Sequence, residues 1–418
     1  MSEVSRAVRG ILDRALAGDE LTPDEAATLC HARGDDITEI ARAADLLRAR
    51  QCGPVATYVV NRNINFTNVC IKHCTFCAFS RDHREEEGYF LPTEEIVRRA
   101  REAWDLGATE VCIQAGLAPK LDGWYYVDLV RTLKKELPGL HLHAFSPEEV
   151  LYGATRASVS VRTYLEALRD AGHDTLPGTS AEILDDEVRN VISKGRITTD
   201  QWIDVVTTAH ELGIRTTSTI MYGHVESYDH WARHMAILRS IQSHTGGFTE
   251  FVPLSFVHQE APMVQKSLVR SARRGATSEE VVKMHAVARL FLGASFGNIQ
   301  VSWVKEGPEM ARRLLACGAN DLGGTLINES ISTSAGAAYG QLLSPIQLRR
   351  LIRSAGRVPA ERTSLYAIRK VFESESDESE SALDRIDDAD ARFGSYATLA
   401  QSTAFRFEPF EKKEHPAS

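Results

Sequence analysis

Eight segments of strand character alternate with charged segments of helical periodicity, and this alternation limits the possible folds more than any other feature of the chain. The strand-like segments are "VATYVVNRNINF" (55–66), "TEVCIQAG" (109–116), "LHLHAFS" (140–146), "DTLPGTSAEI" (174–183), "RTTSTIMYG" (215–223), "FTEFVPLSF" (248–256), "NIQVSWV" (298–304) and "NDLGGTL" (320–326). Between them lie stretches such as "PTEEIVRRAREAWDLG" (92–107) and "TDQWIDVVTTAHELG" (199–213), whose apolar residues recur with a 3.6-residue period. Gly107 and Gly213 close these two stretches, where a left-handed residue ends a helix at little cost. "SPEE" (146–149) opens another helix, with Ser146 as N-cap and Glu149 completing a capping box. Such alternation predicts an α/β fold, a parallel (β/α)8 barrel of the TIM type, with its chemistry at the carboxyl ends of the strands.

Ahead of the first strand, residues 1–50 read as a helical extension. In "LTPDEAATL", Thr22 is a helix N-cap, Pro23 takes the first helical position and Glu25 closes a capping box. The barrel with its C-terminal helices is expected over 51–370, and an acidic, flexible tail over 371–418. The chain carries a net charge of −9. Twelve acidic and five basic side chains lie from Val371 onward, which leaves a net of only −2 for the 370 residues before it. "ESESDESESALDRIDDADAR" (373–392) has the composition of a solvated linker, whereas "FRFEPF" (405–410) is suited to dock either on the body or on a partner.

Nothing in the chain forms a basic stripe with interleaved aromatics, which argues against nucleic acid as a partner. No run approaches the ~20 apolar residues that cross a bilayer, so no membrane partner is expected. The first twenty residues lack a signal peptide's apolar core and cleavage site, so a cytoplasmic location is expected.

The strongest chemical signal is "NVCIKHCTFCAFSR" (68–81), which directly follows the first strand and holds three of the seven cysteines. Cys70, Cys74 and Cys77 are too few for a closed four-cysteine zinc site and too tightly grouped for a disulfide framework. One reading adds His73 to make a Cys3His zinc site. The other is an iron–sulfur cube held by three thiolates, with one iron left free to bind a small molecule. Cys112 shares a strand face with Gln114 and reads as a buried structural thiol, and Cys30, Cys52 and Cys317 read as packing.

Other residues at strand ends carry weaker signals. Asn61, Asn63 and Asn65 alternate along strand one and suit a polar barrel interior. Gly178 allows an unusual turn, and Glu182 places a carboxylate at the end of strand four. "IMYGHVE" (220–226) brings Tyr222, His224 and Glu226 to the end of strand five, where an imidazole can handle protons near neutrality. His141 and His143 share a face of strand three, and "DLGGTLINES" (321–330) places paired glycines after strand eight.

The C-x3-C-x2-C spacing, with Phe76 before the last cysteine, resembles the radical S-adenosylmethionine superfamily. The segments "NINFTNVCIKHCTFCAFSR", "PGTSAEILDDEVR", "STIMYGH", "EFVPLSFVH" and "DLGGTLINESIS" are similar to the tyrosine-dependent FO synthase subunits called CofH. Menaquinone-pathway relatives, aminofutalosine synthase and cyclic dehypoxanthinyl futalosine synthase, are the alternative; they favour P-G-G-G where this chain has Pro177-Gly178-Thr179-Ser180.

The resemblance implies one 4Fe-4S cluster on Cys70, Cys74 and Cys77, with S-adenosylmethionine on its open iron. Phe76 would lie near the adenine and "IQAG" (113–116), through Gln114 and Gly116, near the methionine amino group, although Ala115 stands where close relatives have glycine. Glu182 would bind cofactor and act in catalysis with Tyr222 and His224. The implied substrates are L-tyrosine and 5-amino-6-(D-ribitylamino)uracil, with 2-iminoacetate, methionine and 5′-deoxyadenosine released. Implied protein partners are the second FO synthase subunit, CofG, and a low-potential donor such as ferredoxin or flavodoxin.

Overall fold

Each of the eight expected strand positions is occupied, but not by eight equal strands. The computed structural model describes residues 5–410. Its strands are β1 (Val55–Val59), β2 (Asn61–Ile64), β3 (Glu110–Ile113), β4 (His141–Ala144), β5 (Thr175–Leu176), β6 (Arg215–Tyr222), β7 (Phe248–Ser255), β8 (Asp321–Gly324), β9 (Val358–Arg362) and β10 (Ile368–Val371). A parallel sheet runs from β2 through β3, β4, β5 and β6 to β7, and β1 pairs in parallel with β8. Parallel bridges from Ile299 to Phe251 and from Gln300 to Asp321 fill the seventh position, and Arg62 bridges Ile327 beyond β8. The circuit therefore closes as a barrel.

Three departures from the expected strands have local causes. Segment 55–66 is split at Val60, because its first half pairs with β9 and its second half with β3. Segment 298–304 contributes only bridges before turning into the short helix Trp303–Glu306. Segment 174–183 stays extended only for Thr175–Leu176, and left-handed backbone at Ser180 and Glu182, with φ of 67° and 44°, turns it toward the barrel mouth.

Helices cover the outside of the barrel. The capping boxes at Thr22 and Ser146 form, with Glu25 accepting from the Thr22 amide at 2.8 Å and Glu149 from the Ser146 amide at 2.7 Å. Helices Pro23–His31 and Asp35–Cys52 of the N-terminal region pack on Ser278–Leu292. Cys30 and Cys317 lie in the apolar core, as packing thiols should. Trp202, Trp231 and Trp303 are fully enclosed; burying side chains of roughly 200 Å² each contributes on the order of 5 kcal/mol apiece.

The region after β8 closes the other end. The hairpin β9–β10 brings Arg362 onto Asp321 in a two-pronged ion pair at 2.6 and 2.9 Å. Tyr366 hydrogen-bonds Glu250 at the same floor.

Residues 371–410 correct the expectation of a flexible acidic tail. Phe372, Leu383 and Phe393 are buried as apolar anchors, and Arg349 and Arg353 both engage Glu378. The chain continues to the cysteine loop, where the Tyr396 hydroxyl donates to the Phe79 carbonyl at 3.2 Å. "FRFEPF" docks on the body: the Phe90 amide donates to Phe405 O and the Phe407 amide to Gly88 O, both at 2.8 Å. Phe407 then packs on Val69 and Ala118. The acidic composition concealed this spacing of apolar anchors. Residues 411–418 of the expected tail and residues 1–4 of the extension lie outside the described residues.

Candidate active site

A barrel interior is ordinarily filled by branched apolar side chains. Here the inward positions are largely polar, and they enclose a cavity of about 380 Å³. Val59, Asn61, Asn63 and Asn65 alternate into it from strand one, joined by Glu110, Cys112 and Gln114, then by His143, Thr175, Thr217, Thr219 and Gln300. The intervening residues, including Ile64, Val111, Ile113, Leu142, Leu176 and Ile220, are buried against the surrounding helices. Met221, Val252, Leu254 and Phe256 give one side of the cavity an apolar wall.

Cys70, Cys74 and Cys77 all line this cavity. Their loop is pinned at both ends: the Cys70 amide donates to Arg81 O at 3.1 Å and the Thr75 amide to Ile192 O at 2.9 Å. Burial pushes the Cys74 thiol up to about 12, with Arg196 pulling it back, and raises Cys70 in the same way. His73 is exposed and is not part of the lining, which removes the nitrogen ligand that the zinc reading needed. Among the described residues no three His, Cys, Asp or Glu side chains are gathered tightly enough to hold a single metal ion. The cavity is thus lined by three cysteines of a single loop. That donor set fits a cube, in which each thiolate binds a different iron.

Phe76, Gln114, Gly116 and Glu182 also reach the cavity. The Gln114 side-chain oxygen accepts from Thr179 Oγ1 at 2.8 Å. A Cβ on Gly116 would stand 2.4 Å from the Val69 carbonyl oxygen, so only glycine lets this strand end approach the cysteine loop so closely. Ala115 directs its amide to Glu149 Oε1 at 3.1 Å.

Glu182 belongs to a charged knot that the motifs did not reveal. Arg196 pairs with Glu182 at 2.9 Å and with Glu148 at 3.1 Å, donates to Ser180 Oγ at 2.7 Å and lies 5.9 Å from the centre of the Phe76 ring. Although burial opposes its charge, Cys74 and the two carboxylates hold its pKa well above the ordinary arginine value. Glu149, which appeared in the sequence only as a helix cap, lines the cavity with its pKa raised by burial to about 7. Arg196 and Glu148 had no legible signal, since they are joined only by the fold.

Tyr222 and His224 correct the expected catalytic set, because neither lines the cavity. On β6 the inward parity belongs to Thr217, Thr219 and Met221, so Tyr222 faces out and packs edge-on against Trp231 at 5.3 Å. His224 is fully buried, accepts from the Val225 amide at 2.8 Å and bonds Met221 O at 2.9 Å. Glu226 gathers the amides of Gly223 and His224 together with Trp231 and Arg273. These contacts hold the loop outside the cavity lining. Cys112 lies in the barrel interior, where burial raises its thiol to about 12, and His141 and His143 share Thr175 Oγ1 at 2.8 Å each.

Comparison with known proteins agrees with this geometry. Residues 64–238 match the Radical SAM superfamily, and residues 245–375 match the CofH/MqnC C-terminal region. The chain is 48% identical over 356 residues to the 5-amino-6-(D-ribitylamino)uracil–L-tyrosine 4-hydroxyphenyl transferase of Methanothermobacter thermautotrophicus, covering 85% of this chain and 96% of that protein. The chain belongs to the CofH/MqnC family of radical SAM enzymes. It is also 50% identical over 346 residues to the FO synthase of Streptomyces avermitilis, covering 83% of this chain but spanning only about two fifths of that protein's length.

Among solved structures, methylornithine synthase (PylB) superposes with a TM-score of 0.66 at 19% identity, covering 84% of this chain and 97% of that one. The hydrogenase maturase HydG of Carboxydothermus hydrogenoformans gives 0.67 at 16% identity, covering 86% and 80%. These two share the fold. Membership of the superfamily implies a 4Fe-4S cluster and S-adenosylmethionine. Besides the three sulfurs, the cavity-lining Asn63 and Asn65 keep buried side-chain oxygens with no hydrogen-bond partner among the described residues, so the interior has acceptors available for a polar ligand.

Proposed function

We propose that this chain breaks the Cα–Cβ bond of L-tyrosine and joins the 4-hydroxybenzyl group to 5-amino-6-(D-ribitylamino)uracil, releasing 2-iminoacetate. The observation that carries the reading is the 48% identity sustained over 96% of the Methanothermobacter transferase. A feature of the cavity supports it against the menaquinone-pathway alternative. Thr179 and Ser180 hydrogen-bond Gln114 and Arg196 through their side chains, which glycines at those positions could not do.

In this reading Cys70, Cys74 and Cys77 would hold one 4Fe-4S cluster, and Phe76, Gln114, Gly116, Glu182 and Arg196 would hold S-adenosylmethionine. When bound, these groups supply the one-electron chemistry that starts the reaction. The chain supplies orientation and dryness. Asn61, Asn63, Glu110 and Gln300 present a hydrogen-bonding surface suited to a ribitylated uracil, while Met221, Val252 and Leu254 offer an aromatic ring an apolar wall. Holding both substrates in one enclosed barrel shortens the path of the transferred fragment and keeps water from it.

The reading includes CofG as the subunit that takes the product onward, a ferredoxin or flavodoxin as electron donor, and a cytoplasmic setting. Among the described residues no helix is long and apolar enough to cross a membrane. The test is anaerobic reconstitution with iron and sulfide, followed by S-adenosylmethionine, dithionite, tyrosine and the diaminouracil. We expect 5′-deoxyadenosine and the benzylated uracil together, and expect Cys74→Ala to lose both the cluster and turnover. Formation of 5′-deoxyadenosine only with a futalosine-pathway substrate would overturn the assignment.

A further inference from the structure

Among the described residues four Lys or Arg side chains line the cavity, and three of them are committed. Lys72 pairs with Glu148 at 3.5 Å, Arg196 with Glu148 and Glu182, and Arg362 with Asp321. Lys305 is the exception: among the described residues its ammonium has no hydrogen-bond or ion-pair partner. It projects from the short helix Trp303–Glu306, which is tied down where Trp303 Nε1 donates to Gly324 O at 2.9 Å and the Lys305 amide to Ser302 O at 3.0 Å.

Lys305 is only partly buried and lines the cavity, where its ammonium is open to a ligand. Burial lowers the pKa of Lys305, while Glu329, Glu306 and Glu182 act in the opposite direction. None of the three forms an ion pair with it. Glu329 already accepts from the amides of Ile331 and Ser332 at 2.9–3.1 Å, Glu182 is held by Arg196, and Glu306 does not line the cavity. Lys305 is thus the cavity-lining cation left available to an anionic group on a ligand. Arg196 lies against Phe76 of the cysteine loop, whereas Lys305 follows the seventh strand position.

We propose that Lys305 binds the α-carboxylate of the amino-acid substrate and so sets the direction in which its Cα–Cβ bond faces. This rests on the tyrosine reading above. It adds the residue that distinguishes an amino acid from the corresponding amine. Glu329, which also lines the cavity and acts electrostatically on Lys305, offers an acceptor for the substrate's amino group, so the two side chains together complement a zwitterion.

The test compares L-tyrosine with tyramine, which lacks only the carboxylate, by equilibrium dialysis against the reconstituted protein with S-adenosylmethionine present. The wild-type chain should bind tyrosine about 30-fold more tightly than tyramine, the scale expected for a desolvated charge pair. K305M should bind the two alike while keeping its iron and sulfide. If K305M loses its iron, K305Q is read in its place by the same criterion. A variant that keeps the wild-type preference overturns the assignment of Lys305. A wild-type chain that makes the benzylated product but shows no preference overturns Lys305 alone, whereas one that binds no tyrosine overturns the tyrosine reading and this assignment together.

Discussion

The loops that follow β5 and β6 look alike in sequence but have opposite fates. Each begins at the end of a barrel strand, contains a glycine and carries polar residues suited to chemistry. The first, from Pro177 to Glu182, lines the cavity with Pro177, Thr179, Ser180 and Glu182. The second, from Tyr222 to Glu226, is absent from the lining and instead ties β6 to the helix behind it. Strand length accounts for the difference. β5 lasts two residues, after which left-handed backbone at Ser180 and Glu182 breaks the alternation of faces and turns the chain into the mouth. β6 lasts eight residues, its alternation holds throughout, and its final residue falls on the outward parity.

The largest effect that would test this contrast comes from Gly178→Ala. A Cβ there would stand 2.1 Å from the Thr217 carbonyl oxygen and 2.8 Å from Ser218 Cα. The same glycine is tied to β6, with its amide donating to Thr217 Oγ1 and its carbonyl accepting from Thr219 Oγ1, both at 2.8 Å. The backbone has to separate, at a cost of about 3 kcal/mol or more. Thermal unfolding should show that loss, and 5′-deoxyadenosine formation should fall because Thr179, Ser180 and Glu182 move with the loop. A variant of wild-type stability would show that this loop is not held tightly against β6.

Much of the architecture was legible because it rests on local periodicity. The order of eight strand positions and the capping boxes at Thr22 and Ser146 follow from spacing alone, and the inward face of Asn61, Asn63 and Asn65 follows from their shared parity together with their polarity. What was not legible depends on contacts between distant segments. Arg196 meets Glu148 and Glu182 only after folding, and Lys305 stands out only because its neighbours are already engaged. Tyr222 was misread for a different reason. A period of two separates two faces, but without an anchor it does not say which face is inward. Composition misled at the tail, where acidic residues outnumber but do not displace the anchors Leu383, Phe393 and Phe407.

An effect on the barrel as a whole, rather than on one loop, begins at His234. Its Nδ1 accepts from the Leu184 amide at 3.0 Å, just beyond the first loop, and its Nε2 bonds the Thr219 carbonyl at 2.9 Å. The ring must therefore be the neutral tautomer with its proton on Nε2. Burial lowers its pKa to about 3, and burial also lowers His143, His173, His210 and His285 to about 4. A histidine depressed in the folded state contributes stability that is fully present above the unfolded value near 6.5 and lost as pH falls toward the folded value. Each such ring takes away about 1.4 kcal/mol per pH unit within that window. Urea midpoints should therefore be lower at pH 5.5 than at pH 7.5. Equal midpoints would show that these rings titrate as they do in the unfolded chain.

The smallest expected effect is the most discriminating between the loops. The Tyr222 hydroxyl is buried with no hydrogen-bond partner among the described residues, and burial holds its pKa well above the ordinary phenol value. A hydroxyl enclosed in this way costs about 1–3 kcal/mol against an apolar group of the same shape. Tyr222→Phe keeps the ring against Trp231 and removes only that penalty. The variant should be no less stable than the wild type, with 5′-deoxyadenosine formation and product transfer within twofold of it. A loss of turnover of 10²-fold or more, the scale of a lost general acid or base, would mean that the hydroxyl reaches the reacting groups after all. It would also mean that parity along β6 does not separate its catalytic face from its structural one.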